Sequence, residues 1–315
     1  MQAPRATLLQ LGPQSPWLEA ALARLGPVVR WFELDAAARG AWLAAHAAEA
    51  RVVVTSGNVG CDNALLAALP ALGLIAVNGV GLDRIDLDFA RARGVRVART
   101  SGVLAADVAD LAVGLIIALL RGIAASDAFV RAGRWLEGER PLARSVSGRR
   151  FGIVGLGEIG LALAARLAAF GPVAYHGPRR KPVELAFHAE LADLARASDV
   201  LVVCCPANAA TRGLVDARVL EALGAEGYLV NVARGAVVDE PALIAALEAG
   251  RLAGAALDVF ADEPRVPDAL RASERVVLAP HIGSATVETR ARMAEVVLEN
   301  VAAFLKGARL PNAVE

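Results

Sequence analysis

Gly155-Leu156-Gly157-Glu158-Ile159-Gly160 directly follows the apolar run Phe151-Gly152-Ile153-Val154 and opens an amphipathic stretch reaching residue 170. The run reads as a buried strand and the stretch as a helix, so the glycines occupy a strand-to-helix turn. A bare GxGxxG says little; between these flanks it marks a place where a nucleotide pyrophosphate can sit. Gly155 permits the tight turn, Gly157 lets backbone approach the phosphates, and Gly160 allows close helix–strand packing. The helix N-terminus, at Glu158 and Ile159, adds N–H donors and the positive end of its dipole.

The next strand selects the nucleotide. An acid about 20 residues after the first glycine normally bonds the ribose 2′-OH of NAD. Here Pro172-Val173-Ala174-Tyr175 runs into His176-Gly177-Pro178-Arg179-Arg180-Lys181, and the first carboxylate is Glu184. A guanidinium fork matches a phosphate bidentately, so Arg179 and Arg180, with His176 at the strand end, favour a 2′-phosphate and NADP(H) as cofactor. Of the 33 basic residues only Lys181 and Lys306 are lysine, so arginine is common everywhere and a solvated basic loop is the bland alternative. The missing acid and the added bases agree on the phosphate, with the choice between Arg179 and Arg180 left open.

At 315 residues the chain is long enough for two domains. Lys+Arg 33 against Asp+Glu 33 gives a net charge of +0, so no global field recruits nucleic acid or a membrane surface. Cys61, Cys204 and Cys205 suggest buried reduced thiols rather than a disulfide framework. The four histidines, His46, His176, His188 and His281, are scattered, so no metal site is expected. No basic region followed by an apolar core opens the chain. The apolar segment 111–120 is too short to span a bilayer, and Asp107 and Asp110 beside it favour a buried helix. A soluble, cytoplasmic protein is the expectation.

Short apolar runs at 6–11, 28–34, 51–54 and 74–77 alternate with helical patterns at 17–25, 36–50 and 64–69. After a long helix near 106–121, strands are expected at 151–154, 173–175, 200–204, 228–232, 254–258 and 276–278. Near-continuous apolar strands alternating with helices imply parallel sheets covered on both faces. The expected fold is α/β, with two doubly wound parallel-sheet domains. The last helix, 287–306, is expected to cross back to the first domain and leave a cleft between two lobes.

Several further segments carry a resemblance: Gly79-Val80-Gly81-Leu82-Asp83-Arg84-Ile85-Asp86-Leu87, Asp107-Val108-Ala109-Asp110-Leu111-Ala112, Asn231-Val232-Ala233-Arg234-Gly235, Leu257-Asp258-Val259-Phe260-Ala261-Asp262-Glu263-Pro264 and Pro280-His281-Ile282-Gly283-Ser284-Ala285-Thr286. In that order, and with the glycine turn among them, the chain resembles the D-isomer-specific 2-hydroxyacid dehydrogenases over essentially its whole length. Within that family it is most similar to the NADPH-dependent glyoxylate/hydroxypyruvate reductase and hydroxyphenylpyruvate reductase group. The resemblance implies a flavodoxin-like substrate-binding domain over 1–98 and 284–315 and a Rossmann cofactor domain over 99–283. It also implies an Arg234–Glu263–His281 catalytic set.

The chemistry suits those residue types. Reducing a 2-oxo acid requires hydride on the carbonyl carbon and a proton on its oxygen, which His281 as imidazolium can donate. Glu263 beside it would stabilise the cationic imidazole. Arg234 would grip the substrate carboxylate and polarise the carbonyl with a charge that does not titrate away. By the same resemblance Asp258 orients the nicotinamide carboxamide. Cys205, Pro206 and Thr211 pass over the cofactor, with Val108, Val232 and Ala233 also against it. Val80 and Gly81 offer backbone N–H groups to the substrate carboxylate, Ser284 lies near the substrate, and Trp135 falls where some relatives project an aromatic into the partner subunit. Structural alternatives stand beside these: Asp258 as a turn former, Cys205 as core, Ser284 as a helix cap, Trp135 as dimer core.

Departures from the family pattern are Arg99-Thr100-Ser101, where relatives often carry Asn-Thr-Pro, and Ala105-Ala106 in place of polar residues before Asp107. The expected activity is NADPH-dependent reduction of hydroxypyruvate and glyoxylate to D-2-hydroxy acids. Alternatives are a reductase of aromatic 2-oxo acids such as hydroxyphenylpyruvate, or a non-catalytic nucleotide-sensing protein like the corepressors that share this fold. The resemblance further implies a homodimer, with 103–134 as its contact.

Overall fold

Apolar runs such as Val200-Leu201-Val202-Val203, wholly buried along their length, have no polar face to present to water and pair as parallel strands under helices. The computed structural model describes residues 6–314. The chain divides into two units, Met1–Val103 with Val287–Glu315, and Leu104–Thr286.

The first unit alternates β1 (Thr7–Gln10), α1 (Pro16–Leu25), β2 (Val28–Arg30), α2 (Ala36–His46), β3 (Ala50–Ser56), α3 (Asn63–Ala68), β4 (Leu74–Asn78), α4 (Leu87–Ala92) and β5 (Arg96–Arg99). Its sheet is parallel, in the order β2-β1-β3-β4-β5, the flavodoxin-like arrangement. Helix starts follow short polar side chains: Ser15, Asp35, Asp62 and Asp86 each accept a backbone N–H of the first turn.

The second unit begins with α5 (Ala105–Arg121), which ends on Gly122 at φ 60, and α6 (Ile123–Arg131). There follow β6 (Phe151–Val154), α7 (Glu158–Leu167), β7 (Val173–His176), β8 (Ala186–His188), α8 (Leu191–Arg196), β9 (Val200–Val203), α9 (Ala217–Leu223), β10 (Tyr228–Asn231), α10 (Glu240–Glu248), β11 (Gly254–Leu257), α11 (Asp268–Ala272) and β12 (Val276–Leu278). The seven parallel strands run β12-β11-β10-β9-β6-β7-β8, the Rossmann order extended by one strand. The order reverses between β6 and β9, so the carboxyl ends of those two strands flank the switch point where such sheets hold ligands. α12 (Val287–Leu305) belongs to the first unit and packs on β4, β5 and α1.

Each sheet has one strand more than the sequence led us to expect. The additions, β5 and β8, are edge strands whose apolar content is two residues each, Val97-Ala98 and Ala186-Phe187, set beside arginines and histidine. β8 has a strand on one side only, and the outer side of β5 meets only the short segment 312–314, so each is short and its periodic signal is weak. Two expected elements end early: the strand from Val28 stops at Arg30, and the helix from Ala36 stops at His46. Among the described residues, no single helix is long and apolar enough to cross a membrane.

Candidate active site

The glycine turn is built as its spacing requires. Gly155 follows β6 at φ 95, and a side-chain carbon there would stand 2.7 Å from backbone atoms of Cys205. The turn after β6 and the loop after β9 therefore touch at the switch point, and only glycine lets them. A carbon on Gly160 would lie 2.3 Å from the Gly155 carbonyl, which fixes the close approach of α7. Gly157 differs: it caps α7 without a side-chain hydrogen bond, and the space beside it is open. An exposed glycine before an uncapped helix start, with room at its α-carbon, fits a pyrophosphate.

Beyond β7 the chain turns through Arg179, Arg180 and Lys181. Buried Tyr175 accepts the Lys181 N–H at its hydroxyl, 2.7 Å away, and so pins the loop. His176 is fixed by its Nδ1 contact to the His188 carbonyl at 3.1 Å. The Arg179 and Arg180 guanidinium groups are exposed and make no hydrogen bond or ion pair with another described residue. Two exposed cations on a pinned loop, with no acid at the strand end, fit a 2′-phosphate better than a ribose hydroxyl.

At the other side of the sheet, Arg234, Glu263 and His281 follow β10, β11 and β12. His281 Nδ1 and Glu263 Oε2 are 2.8 Å apart, and both side chains are 27% exposed. Glu263 Oε1 accepts the Phe260 N–H at 3.1 Å. Burial pulls the Glu263 carboxyl upward, but the His281 hydrogen bond and charge, the Phe260 amide and the Arg234 charge outweigh it and hold the group below its ordinary value. Arg234 comes close because Gly235 presses on the Phe260–Ala261 backbone, where a side-chain carbon would stand 1.9 Å from the Phe260 carbonyl carbon.

Asp258 organises the turn that carries the histidine. Its carboxylate accepts the Ile282 N–H at 2.7 Å and the Gly283 N–H at 2.9 Å, and its carbonyl accepts the His281 N–H at 2.8 Å. His281 is the one non-glycine residue with positive φ, 54°, among those described, a conformation histidine adopts when its surroundings enforce it. Burial is the largest influence on Asp258 and raises its carboxyl above the ordinary value despite those amides. Val108, on α5, lies against Gly283.

Asn231 and Phe260 support the site without standing out in the sequence beyond the segments that contain them. Buried Asn231 donates to the Arg234 carbonyl and accepts the Ala233 N–H, both at 3.0 Å, and so shapes the arginine's loop. A buried asparagine at a strand end was the available signal. Val232 and Ala233 are buried beside it. In the loop after β9, Thr211 donates to the Pro206 carbonyl at 2.6 Å and accepts the Asn208 N–H at 2.8 Å. Burial pushes the Cys205 thiol up to about 11. Ser284 is half-buried in the turn after His281, whereas Trp135 is 68% exposed.

In the first unit, Val80 and Gly81 lie in the loop after β4. Neither backbone N–H has a hydrogen-bond partner among the described residues.

A glycine turn at the switch point of a parallel sheet, with a paired carboxylate and imidazole beyond later strands, is the frame of a dinucleotide-dependent dehydrogenase. A family profile described as "D-isomer specific 2-hydroxyacid dehydrogenase, NAD binding domain" matches residues 113–283. The chain is 45% identical over 270 residues to glyoxylate/hydroxypyruvate reductase A of Arabidopsis thaliana, covering 85% of this chain and 86% of that one. It is 44% identical over 302 residues to hydroxyphenylpyruvate reductase of Plectranthus scutellarioides, covering 95% and 96%. The crystal structure of an NADPH-dependent glyoxylate/hydroxypyruvate reductase from Sinorhizobium meliloti, in complex with NADP and malonate, matches with a TM-score of 0.92 at 39% identity, covering 98% of this chain and 97% of that one. The chain belongs to the D-isomer-specific 2-hydroxyacid dehydrogenase family.

Proposed function

We propose that the protein reduces small 2-oxo acids, hydroxypyruvate and glyoxylate foremost, to D-2-hydroxy acids with NADPH. The observation that carries this is the Glu263–His281 hydrogen bond at 2.8 Å with the Arg234 charge beside it, in a chain whose relatives bear these activities in their names. Residues 99–283 bind the dinucleotide, and 1–98 with 284–315 bind the substrate.

Gly155, Gly157 and Gly160, with the amides of Glu158 and Ile159, hold the pyrophosphate. Arg179 and Arg180 take the 2′-phosphate beside His176. Cys205, Pro206, Thr211, Val108, Val232 and Ala233 line the remainder, and the unused lone pairs of Asp258 accept the carboxamide. When bound, the cofactor supplies a hydride to the carbonyl carbon. Arg234 and the Val80 and Gly81 amides hold the substrate carboxylate. Because Nδ1 of His281 is committed to Glu263, the proton goes from Nε2 to the carbonyl oxygen, with Ser284 nearby. Glu263 stabilises the imidazolium before transfer.

A homodimer through 103–134 completes this reading, supported by exposed apolar residues Ile123 and Val130 on α6, followed by Trp135 and Leu136. A cytoplasmic setting goes with the three free cysteines. An aromatic 2-oxo acid is the second reading, favoured by the identity to the hydroxyphenylpyruvate reductase.

The test is a panel of 2-oxo acids assayed with NADPH and NADH. Wild type should prefer NADPH and small acids, while Arg234→Ala and His281→Ala, still folded, should lose about 10²–10⁴-fold in turnover. Near-normal rates in both variants would defeat the assignment.

A further inference from the structure

Arg99 and Thr100 hold the loop after β4 from one side. The Thr100 N–H donates to the Gly79 carbonyl at 3.0 Å, and Arg99 Nη1 donates to the Val80 carbonyl at 3.3 Å. Each of those carbonyls shares a peptide unit with the next residue's N–H, which is Val80's in the first case and Gly81's in the second. A peptide unit is planar and trans, so its C=O and N–H point in opposite directions. Fixing the two carbonyls fixes both N–H vectors, and they point away from the Arg99–Thr100 segment.

Arg99 is itself anchored. Its Nε donates to Ser101 Oγ at 3.0 Å, and its backbone N–H donates to the Asn312 carbonyl at 3.2 Å. Asn312 is bonded in turn, through both its side-chain oxygen and its N–H, to buried Asn300 on α12, each at 3.1 Å. The guanidinium therefore reaches the loop from a tethered strand end. It brings charge as well as direction. A cationic donor on a carbonyl draws electron density toward the oxygen and makes the opposite N–H a stronger donor.

We infer that Arg99 is a positioning residue for the substrate carboxylate: through the Val80 carbonyl it orients and polarises the Gly81 N–H that receives the anion, without touching the substrate. This rests on the proposed role of Val80 and Gly81 as carboxylate-binding amides. The Thr100 contact is made by backbone and survives most substitutions. The Arg99 contact is the sequence-dependent half of the grip.

The experiment compares wild type, Arg99→Ala and Arg99→Lys, using steady-state kinetics and calorimetric binding of oxamate, an unreactive isostere of a 2-oxo acid, to the NADPH-loaded protein. Circular dichroism melts confirm folding. In Arg99→Ala, the KM for the 2-oxo acid and the oxamate Kd should both rise about tenfold. Its kcat should stay within about twofold and its KM for NADPH should not move, the pattern of lost uniform binding. Arg99→Lys keeps a charged donor and should recover most of the loss. Unchanged oxamate affinity in Arg99→Ala, an equal rise in the KM for NADPH, or a lysine variant no better than alanine would overturn the inference. A wild type that binds oxamate but reduces no 2-oxo acid would refute the reductase reading alone, and the oxamate comparison would still decide the role of Arg99. Absence of oxamate binding to wild type would overturn both.

Discussion

Glu263 and His281 face each other across 2.8 Å, and the second Glu263 oxygen is held by the Phe260 amide, so the carboxylate has little freedom to leave the imidazole. Glu263→Gln preserves shape and an acceptor while removing the charge. Turnover should fall about tenfold to a hundredfold, less than loss of the acid itself, for which about 10²–10⁴ is usual. Stability should change with a definite sign in pH. The folded carboxyl is held below its ordinary value, so its contribution is full above the unfolded carboxylate's pKa of about 4.3 and disappears as pH falls through the depressed folded value. Urea midpoints should separate wild type from Glu263→Gln at pH 7, by on the order of 1 kcal/mol, and converge near pH 3. A gap that persists at pH 3 would contradict the charge account.

Arg179 and Arg180 have no hydrogen-bond or ion-pair partner among the described residues, while the loop beneath them is pinned by Tyr175. Replacing both with alanine removes charge-assisted bonds to a phosphate but leaves loop and sheet intact. The KM for NADPH should rise about ten- to a hundredfold with little change for NADH. Steady-state kinetics with both cofactors reads this directly, and equal losses would refute the 2′-phosphate reading.

Much of this was legible in the sequence, and what was not has a physical pattern. The central strands of both sheets show as unbroken apolar runs because burial on both faces leaves no room for polar residues. The glycine turn shows because two close backbone approaches exclude side chains at Gly155 and Gly160, and the third glycine, Gly157, leaves open space at the helix start. Edge strands β5 and β8 did not show, since each is three or four residues long with only two apolar residues to carry a pattern. Nor did the supports of the site: Asn231 beneath the Arg234 loop, Phe260 behind Glu263, Arg99 behind Val80. These act through backbone carbonyls and amides brought close only by the fold, and no spacing in the chain encodes such contacts.

Asp258 serves two backbone donors at once, and that count decides what a substitution does. An asparagine accepts one N–H and turns its own NH₂ toward the other, leaving the Ile282 or Gly283 amide facing a donor. The carboxyl is raised by burial when folded, so neutralising it relieves some desolvation. An unsatisfied buried amide costs about 1–3 kcal/mol and outweighs that relief. Asp258→Asn should lower the urea midpoint accordingly and displace His281, whose positive φ depends on this turn. An unchanged midpoint with reduced activity would mean that Asp258 acts on the cofactor and not on the turn.

The three glycines of the turn should separate folding from nucleotide binding. Alanine at Gly155 meets the Cys205 backbone at 2.7 Å and is strained at φ 95, and alanine at Gly160 meets the Gly155 carbonyl at 2.3 Å. Neither backbone can yield without parting β6 from β9 or lifting α7, so each variant should lose about 2 kcal/mol or more, or fail to accumulate as soluble protein. Gly157→Ala meets nothing within 4 Å, and at a helix N-cap the exchange costs about 1 kcal/mol or less. Its melting temperature should fall by no more than a few degrees, while its methyl group occupies the space a pyrophosphate needs, weakening NADPH about tenfold or more by fluorescence titration. If Gly157→Ala instead bound NADPH as tightly as wild type, the phosphates would not approach that amide, and the open space beside it would require another explanation.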